Sequence, residues 1–189
     1  EPYGGLALGM SLGDTTRLTA FWGIGVMISM LLSGVVLLNW FGYMRLMRIG
    51  IIASVFVFAG VIFSGISGNP GLFRSLVLVM GLGTGLAGAG MLAGVINFTT
   101  VIRAGLLMGV WGFANLLGRA LGSIMGGLVV DVMQALTGGN ALLSYGTVFG
   151  LEIVMLLIAL WLTTKVDVTS AIASVEVQTG RPVDQPAAS

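Results

Sequence analysis

Five apolar runs, each long enough to cross a bilayer, follow one another along the chain, at 18–38, 49–66, 76–98, 104–133 and 141–164. About 18 apolar residues mark a candidate span, because a helix of about 20 crosses the hydrocarbon core. Lipid offers no water to a bare amide or carbonyl, so each run must satisfy its backbone inside its own helix. The pattern therefore predicts an all-α membrane protein with five transmembrane helices. Composition points the same way. Hydrophobic residues make up 57% of the 189 and charged residues only 8%, where a soluble domain carries about a quarter charged. Eight basic and seven acidic side chains cannot coat a soluble surface of this size. Disorder is excluded by the same numbers, and the lipid bilayer is the first partner implied.

Other function classes fall away on what the chain lacks. It has no cysteine and no histidine, so a disulfide framework, a thiolate metal site and a histidine general base are all ruled out. No set of residues suggests catalysis or a bound metal, and the chain reads as a non-enzyme. A net charge of +1 gives nucleic acid no reason to bind. Glycine is abundant, at 31 residues without a Gly-X-Y period. In a membrane that abundance reads as close helix packing.

Residues 1–17 read as an exoplasmic connector that follows a missing span. The first residue is Glu1 and no basic leader precedes the first apolar run, so the chain is expected to be a fragment or processed product. Gly68-Asn69-Pro70-Gly71 is a strong turn signal after the second run. Residues 165–189, with Pro182 and Pro186, read as a disordered tail. Arg45, Arg48, Arg103, Lys165 and Arg181 fall on one side of the membrane, and Arg17 and Arg74 on the other. The positive side is cytoplasmic, which makes the C-terminus cytoplasmic. Trp22, Trp40, Tyr43, Tyr145 and Trp161 lie near span ends, as an aromatic belt would.

Two intramembrane charges stand out. Arg119 lies deep in the fourth run, where an arginine costs at least ~2.5–3.5 kcal/mol unless paired or hydrated. Glu152 lies in the antiparallel fifth run, and both are roughly 20 Å from the cytoplasmic end at 1.5 Å per residue. They form a candidate ion pair, either as a lock between helices or as a ligand or proton-coupling site. Asn97 and Asn115 are candidate polar contacts between helices, and with Glu152 they offer oxygens of the kind that suit a magnesium-centred pigment. Gly81, Gly85, Gly90 and Gly94 in the third run, and Gly118, Gly122 and Gly126 in the fourth, recur every four residues or nearly so. Each set makes a small face that lets a second backbone, or a flat ligand, come close. Asp131 reads as interfacial.

One further upstream span would make six, the size of half a major facilitator transporter. The loop at 42–50, with Gly42, Arg45 and Arg48, resembles a cytoplasmic loop of that superfamily. Two stretches carry a narrower resemblance. Glu1-Pro2-Tyr3-Gly4-Gly5, with Leu8-Gly9-Met10-Ser11 and Leu18-Thr19-Ala20-Phe21-Trp22, resembles the middle of the PucC-type family. The stretch 105–112, which contains Trp111-Gly112, together with Arg119, Gly122, Gly126-Gly127 and Asp131, looks like that family's penultimate span. The resemblance covers about residues 1–165. It implies the C-terminal half of a twelve-helix major facilitator-like bundle, with the N-terminal half missing here. It also implies a photosynthetic membrane, a bacterial inner membrane or a thylakoid. The expected function is assembly of light-harvesting complexes, with (bacterio)chlorophyll and antenna polypeptides as partners. An alternating-access transporter of a small solute is the other reading.

Overall fold

The computed structural model describes residues 2–97 and 104–165, with side chains for 2–96 and 105–165. The described chain is helical throughout. Helix α1 covers Pro2–Leu8 and α2 covers Leu12–Leu32. A π-helical segment, Ser33–Leu37, leads into α3, Leu38–Ser67. Helices α4, α5 and α6 cover Pro70–Asn97, Ala104–Thr137 and Ala141–Lys165. Four stretches are long and apolar enough to cross a membrane: Leu12–Ser67, Pro70–Ile96, Gly105–Thr137 and Ala141–Lys165. The helices outrun the apolar runs by a turn or more at several ends, because polar residues extend a helix where a cap and the dipole favour them, as Ser11 and Asp14 do at the start of α2.

The first stretch has 56 residues, well over twice the roughly 20 that one crossing needs. It does not run straight. Gly42 has φ 70° and ψ 162°, a conformation that is essentially glycine's alone. Packing against α4 shows what the break does. Before it, Trp22 lies against Gly81 and Ser29 against Gly85, so both chains advance together. After it, Tyr43 lies against Gly94, Gly50 against Gly83 and Ala87, and Gly60 against Leu76, so they run oppositely. The chain folds back at Gly42, and α4 is held between the two arms.

Capping explains the other boundaries. Ser11 is the N-cap of α2, its Oγ accepting from the Asp14 amide at 3.2 Å. Gly68 ends α3 in the left-handed region, φ 60°, where glycine carries no Cβ penalty. Asn69 then caps α4, its Oδ1 accepting from Gly71 and Leu72 at 3.0 and 3.1 Å, with Pro70 at the first helical position. Asn140 caps α6 through the Leu143 amide at 3.1 Å.

The core is small and aromatic at one end. Tyr3, Leu18, Val57, Val61, Phe73 and Val77 form one buried cluster. Tyr3 donates to the Val61 carbonyl at 3.1 Å and meets Phe73, Tyr145 and Phe149 edge-on, with ring centroids 5.0–5.8 Å apart. Residues 2–17 hold α1, pinned into the bundle by Tyr3, and the first turn and a half of α2. Buried polar residues are mainly serines satisfied by their own helix: Ser33 donates to Ser29 O, Ser54 to Gly50 O and Ser64 to Val61 O, at 2.6, 2.9 and 2.7 Å. Helix α5 differs from the rest, because none of its described residues is buried.

Candidate functional site

Two cavities share one acidic residue in their lining. The first, about 490 Å³, opens between α4, α5 and α6 and is lined by Met91, Asn115, Gly118, Arg119, Gly122 and Glu152. The second, about 360 Å³ and open on one side, lies against the rings of Tyr3, Trp22, Phe58, Phe73 and Phe149, and again Glu152, which is exposed. Glu152 is the residue they share. It projects from the middle of α6, one turn beyond Phe149, so a single helical face presents a ring to one cavity and a carboxylate to both.

Arg119 and Glu152 thus line one cleft. Among the described residues, neither has an opposite charge within 4.0 Å. The direct ion pair expected from their depth is open in this structure, with both Arg119 and Glu152 exposed. Asn115 donates from Nδ2 to the Trp111 carbonyl at 3.0 Å, one turn back, which leaves its Oδ1 for a partner across the cleft. The indole Nε1 of Trp111 is buried and unpaired among the described residues. Gly112 carries open space where a Cβ would stand, and Asp131 is exposed. Asn97 ends α4 and its side chain lies outside the described residues, as does Glu1.

The two glycine faces behave differently. A Cβ on Gly81 would run into the Trp22 carbonyl, and one on Gly85 into the Ser29 hydroxyl. One on Gly90 would stand 2.7 Å from Met47 N and 2.8 Å from Tyr43 O, and one on Gly94 3.2 Å from the Tyr43 ring. These glycines let α4 pack against both arms of the folded-back stretch. At Gly118, Gly122 and Gly126 nothing lies within 4 Å of the same position. The α5 face has no partner among the described residues.

The basic residues sort to two ends. Arg74 Nη2 meets Asp14 Oδ1 at 2.9 Å, and Arg17 lies 4.0 Å from the same oxygen. At the other end Arg48 donates from Nε to Thr163 Oγ1 at 3.0 Å and from Nη2 to the Thr163 carbonyl at 2.7 Å. Lys165 sits 5.3 Å from the Trp161 ring centroid. Arg103, Arg181 and the tail at 166–189 lie outside the described residues. Trp40 and Trp161 are exposed, whereas Trp22 and Tyr145, expected in the same belt, face the aromatic end of the bundle. That aromatic cavity carries no local sequence signal, since its five rings come from five helices. The one hint is Phe149 and Glu152, three apart and so on one helical face.

The sequence model described as PUCC protein matches residues 1–171. Protein PucC of Rhodobacter capsulatus is 34% identical over 165 residues, 85% of this chain and 36% of that protein. An uncharacterized protein in the puhA-bchM intergenic region of the same organism is 31% identical, over 85% of this chain and 35% of its own length. A bacteriochlorophyll synthase 44.5 kDa chain, also from Rhodobacter capsulatus, is 27% identical over 88% of this chain and 39% of its own length. The chain spans about a third of the length of the curated relatives it matches. No solved structure matches it. With this match along nearly its whole length, the chain belongs to the PUCC protein family.

Proposed function

We propose that the whole protein assists assembly of light-harvesting complexes, by delivering or handling (bacterio)chlorophyll or by chaperoning antenna helices. The carrying observation is α5, a helix of 34 residues with no buried residue among those described and a glycine face open to its surroundings. In lipid such a face favours another helix or a flat ring system, because small residues allow close van der Waals approach. The pigment-related name of one relative supports the same reading. As cargo, a magnesium-centred ring would find oxygen donors at the cleft in Asn115 Oδ1 and Glu152. The role is non-catalytic.

The 56-residue stretch is read as two crossings that meet at Gly42, giving five in all. These correspond to the C-terminal half of a twelve-helix major facilitator-like bundle in a photosynthetic membrane, with the C-terminus cytoplasmic. The test is deletion of the full-length gene in its photosynthetic host, with antenna absorbance read against reaction-centre absorbance. Antenna should fall selectively and return with the wild-type gene. Unchanged antenna in the deletion strain would sink the proposal.

A transporter reading rests on one specific observation: Arg119, Asn115 and Glu152 share an open cleft at mid-helix. Solute flux in proteoliposomes carrying the full-length protein would favour it, especially if Arg119→Ala abolished the flux.

A further inference from the structure

We propose that the aromatic cavity is a binding site for a hydrophobic monocation, with Glu152 as its counter-charge. The space is about 360 Å³, within the range of sites that enclose drug-sized molecules, roughly 300–1,000 Å³. Rings from five helices line it: Tyr3, Trp22, Phe58, Phe73 and Phe149. Tyr3 is held edge-on to Phe73 and Phe149, at interplanar angles of 67° and 87°. Its hydroxyl is tied to the Val61 carbonyl, so the wall is fixed rather than adaptable. Aromatic walls attract a cation through their ring quadrupoles, most strongly where water is excluded.

Charge selects among possible guests. Glu152 is the single charged side chain among the described residues that line the cavity. Its carboxylate has no cation within 4.0 Å among the described residues, and an uncompensated charge at this depth is costly. A monovalent guest offsets that cost, as a bound proton also would; a neutral guest leaves the carboxyl to the proton, and an anion adds to the charge. One carboxylate matches one positive charge, and the apolar lining matches a guest whose charge is buried in hydrocarbon. Arg119 lines the neighbouring cleft that Glu152 also borders, beyond 4.0 Å of the carboxylate, so a guest in the aromatic cavity competes with it for the one counter-charge.

The test uses full-length protein in detergent and two isosteric ions, tetraphenylphosphonium and tetraphenylborate. Saturable binding is measured by equilibrium dialysis and corrected against protein-free micelles. The cation should bind at least about tenfold more tightly than the anion. Glu152→Gln should remove that preference by weakening the cation alone. Should the variant fail to accumulate, the comparison of the two ions on wild-type protein still decides. Met80→Trp, which fills the aromatic cavity from α4, should abolish cation binding, while Gly118→Leu on the cleft side should leave it intact. Equal binding of the two ions, full cation binding by Glu152→Gln, or loss with Gly118→Leu but not with Met80→Trp would each overturn the assignment.

Discussion

Arg48 of α3 closes the last turn of α6 by donating twice to Thr163, once to the side chain and once to the main-chain carbonyl, at 3.0 and 2.7 Å. The final carbonyls of a helix have no partner within it, and a cation there also meets the negative end of the helix dipole. One arginine therefore joins two helices that are 115 residues apart in sequence and satisfies an orphan acceptor. At the opposite end Asp14 does the complementary work, drawing Arg74 of α4 to the first turn of α2 at 2.9 Å.

Arg48→Ala should loosen α6 from α3. Hydrogen bonds from a charged donor contribute about 1.5–3 kcal/mol, and Arg48 is half-buried, so a loss near the lower figure is expected. The check is the thermal midpoint of the purified full-length protein, which should fall by several degrees. Arg48→Lys should recover only part of that loss, because an ammonium group cannot reproduce the fork that serves both Thr163 oxygens. A midpoint unchanged in Arg48→Ala would show the contact to be idle.

Sidedness gives the second prediction. Arg48 and Lys165 mark one end of the bundle, and Arg17 and Arg74 the other. The excess of basic residues predicts that the first end is the cytoplasmic one. Single cysteines at Ser11 and Ser75 should react with an impermeant maleimide added outside spheroplasts, and one at Thr164 should react only after lysis. The opposite labelling pattern would invert the topology. Labelling of Thr164 and Ser11 from the same side would refute the reversal at Gly42.

The glycine faces give the third. Gly90→Ala would place a carbon within 2.8 Å of the α3 backbone, and overpacking of this kind costs about 1–3 kcal/mol. Reduced accumulation and a lower midpoint should follow. Gly122→Ala meets nothing within 4 Å, so its effect on stability should stay within about 0.5 kcal/mol. Gly122→Leu should also accumulate normally, yet lose antenna assembly if that face receives a partner. A drop in accumulation for Gly122→Leu that matches Gly90→Ala would show that α5 packs on the rest of the same protein.

The turn between α3 and α4 is legible in the sequence because capping is a local property: Gly68, Asn69 and Pro70 act on neighbours within four residues. What a residue faces is not local. Gly85 and Gly122 sit in equally glycine-rich surroundings, yet one meets Ser29 and the other meets nothing described. The position of the second helix decides, and no spacing encodes it. Tyr3 shows the same gap from the other side. Its motif was visible, but its place among Phe73, Tyr145 and Phe149 depends on α1 folding back into the bundle. For Arg119 and Glu152, place along each helix was readable from residue counts, whereas the separation of their charged groups was not.

That separation frames the last prediction. Arg119 and Glu152 line one cleft without closing to 4.0 Å, so they are expected to interact across it, through water or on closure of α5. Loss of either should not be symmetric. Arginine cannot shed its charge at accessible pH, whereas a carboxyl group can neutralise itself by binding a proton. Glu152→Ala should therefore lower membrane accumulation more than Arg119→Ala, since it strands the permanent charge where an arginine costs at least ~2.5–3.5 kcal/mol. The double variant should accumulate better than the two single losses combined would allow, by an interaction of about 0.5–3 kcal/mol. Restored accumulation without restored antenna assembly would assign the pair a working role beyond holding helices together. Strictly additive losses would reject the pairing, and Arg119 would then answer to a carboxylate outside the described residues.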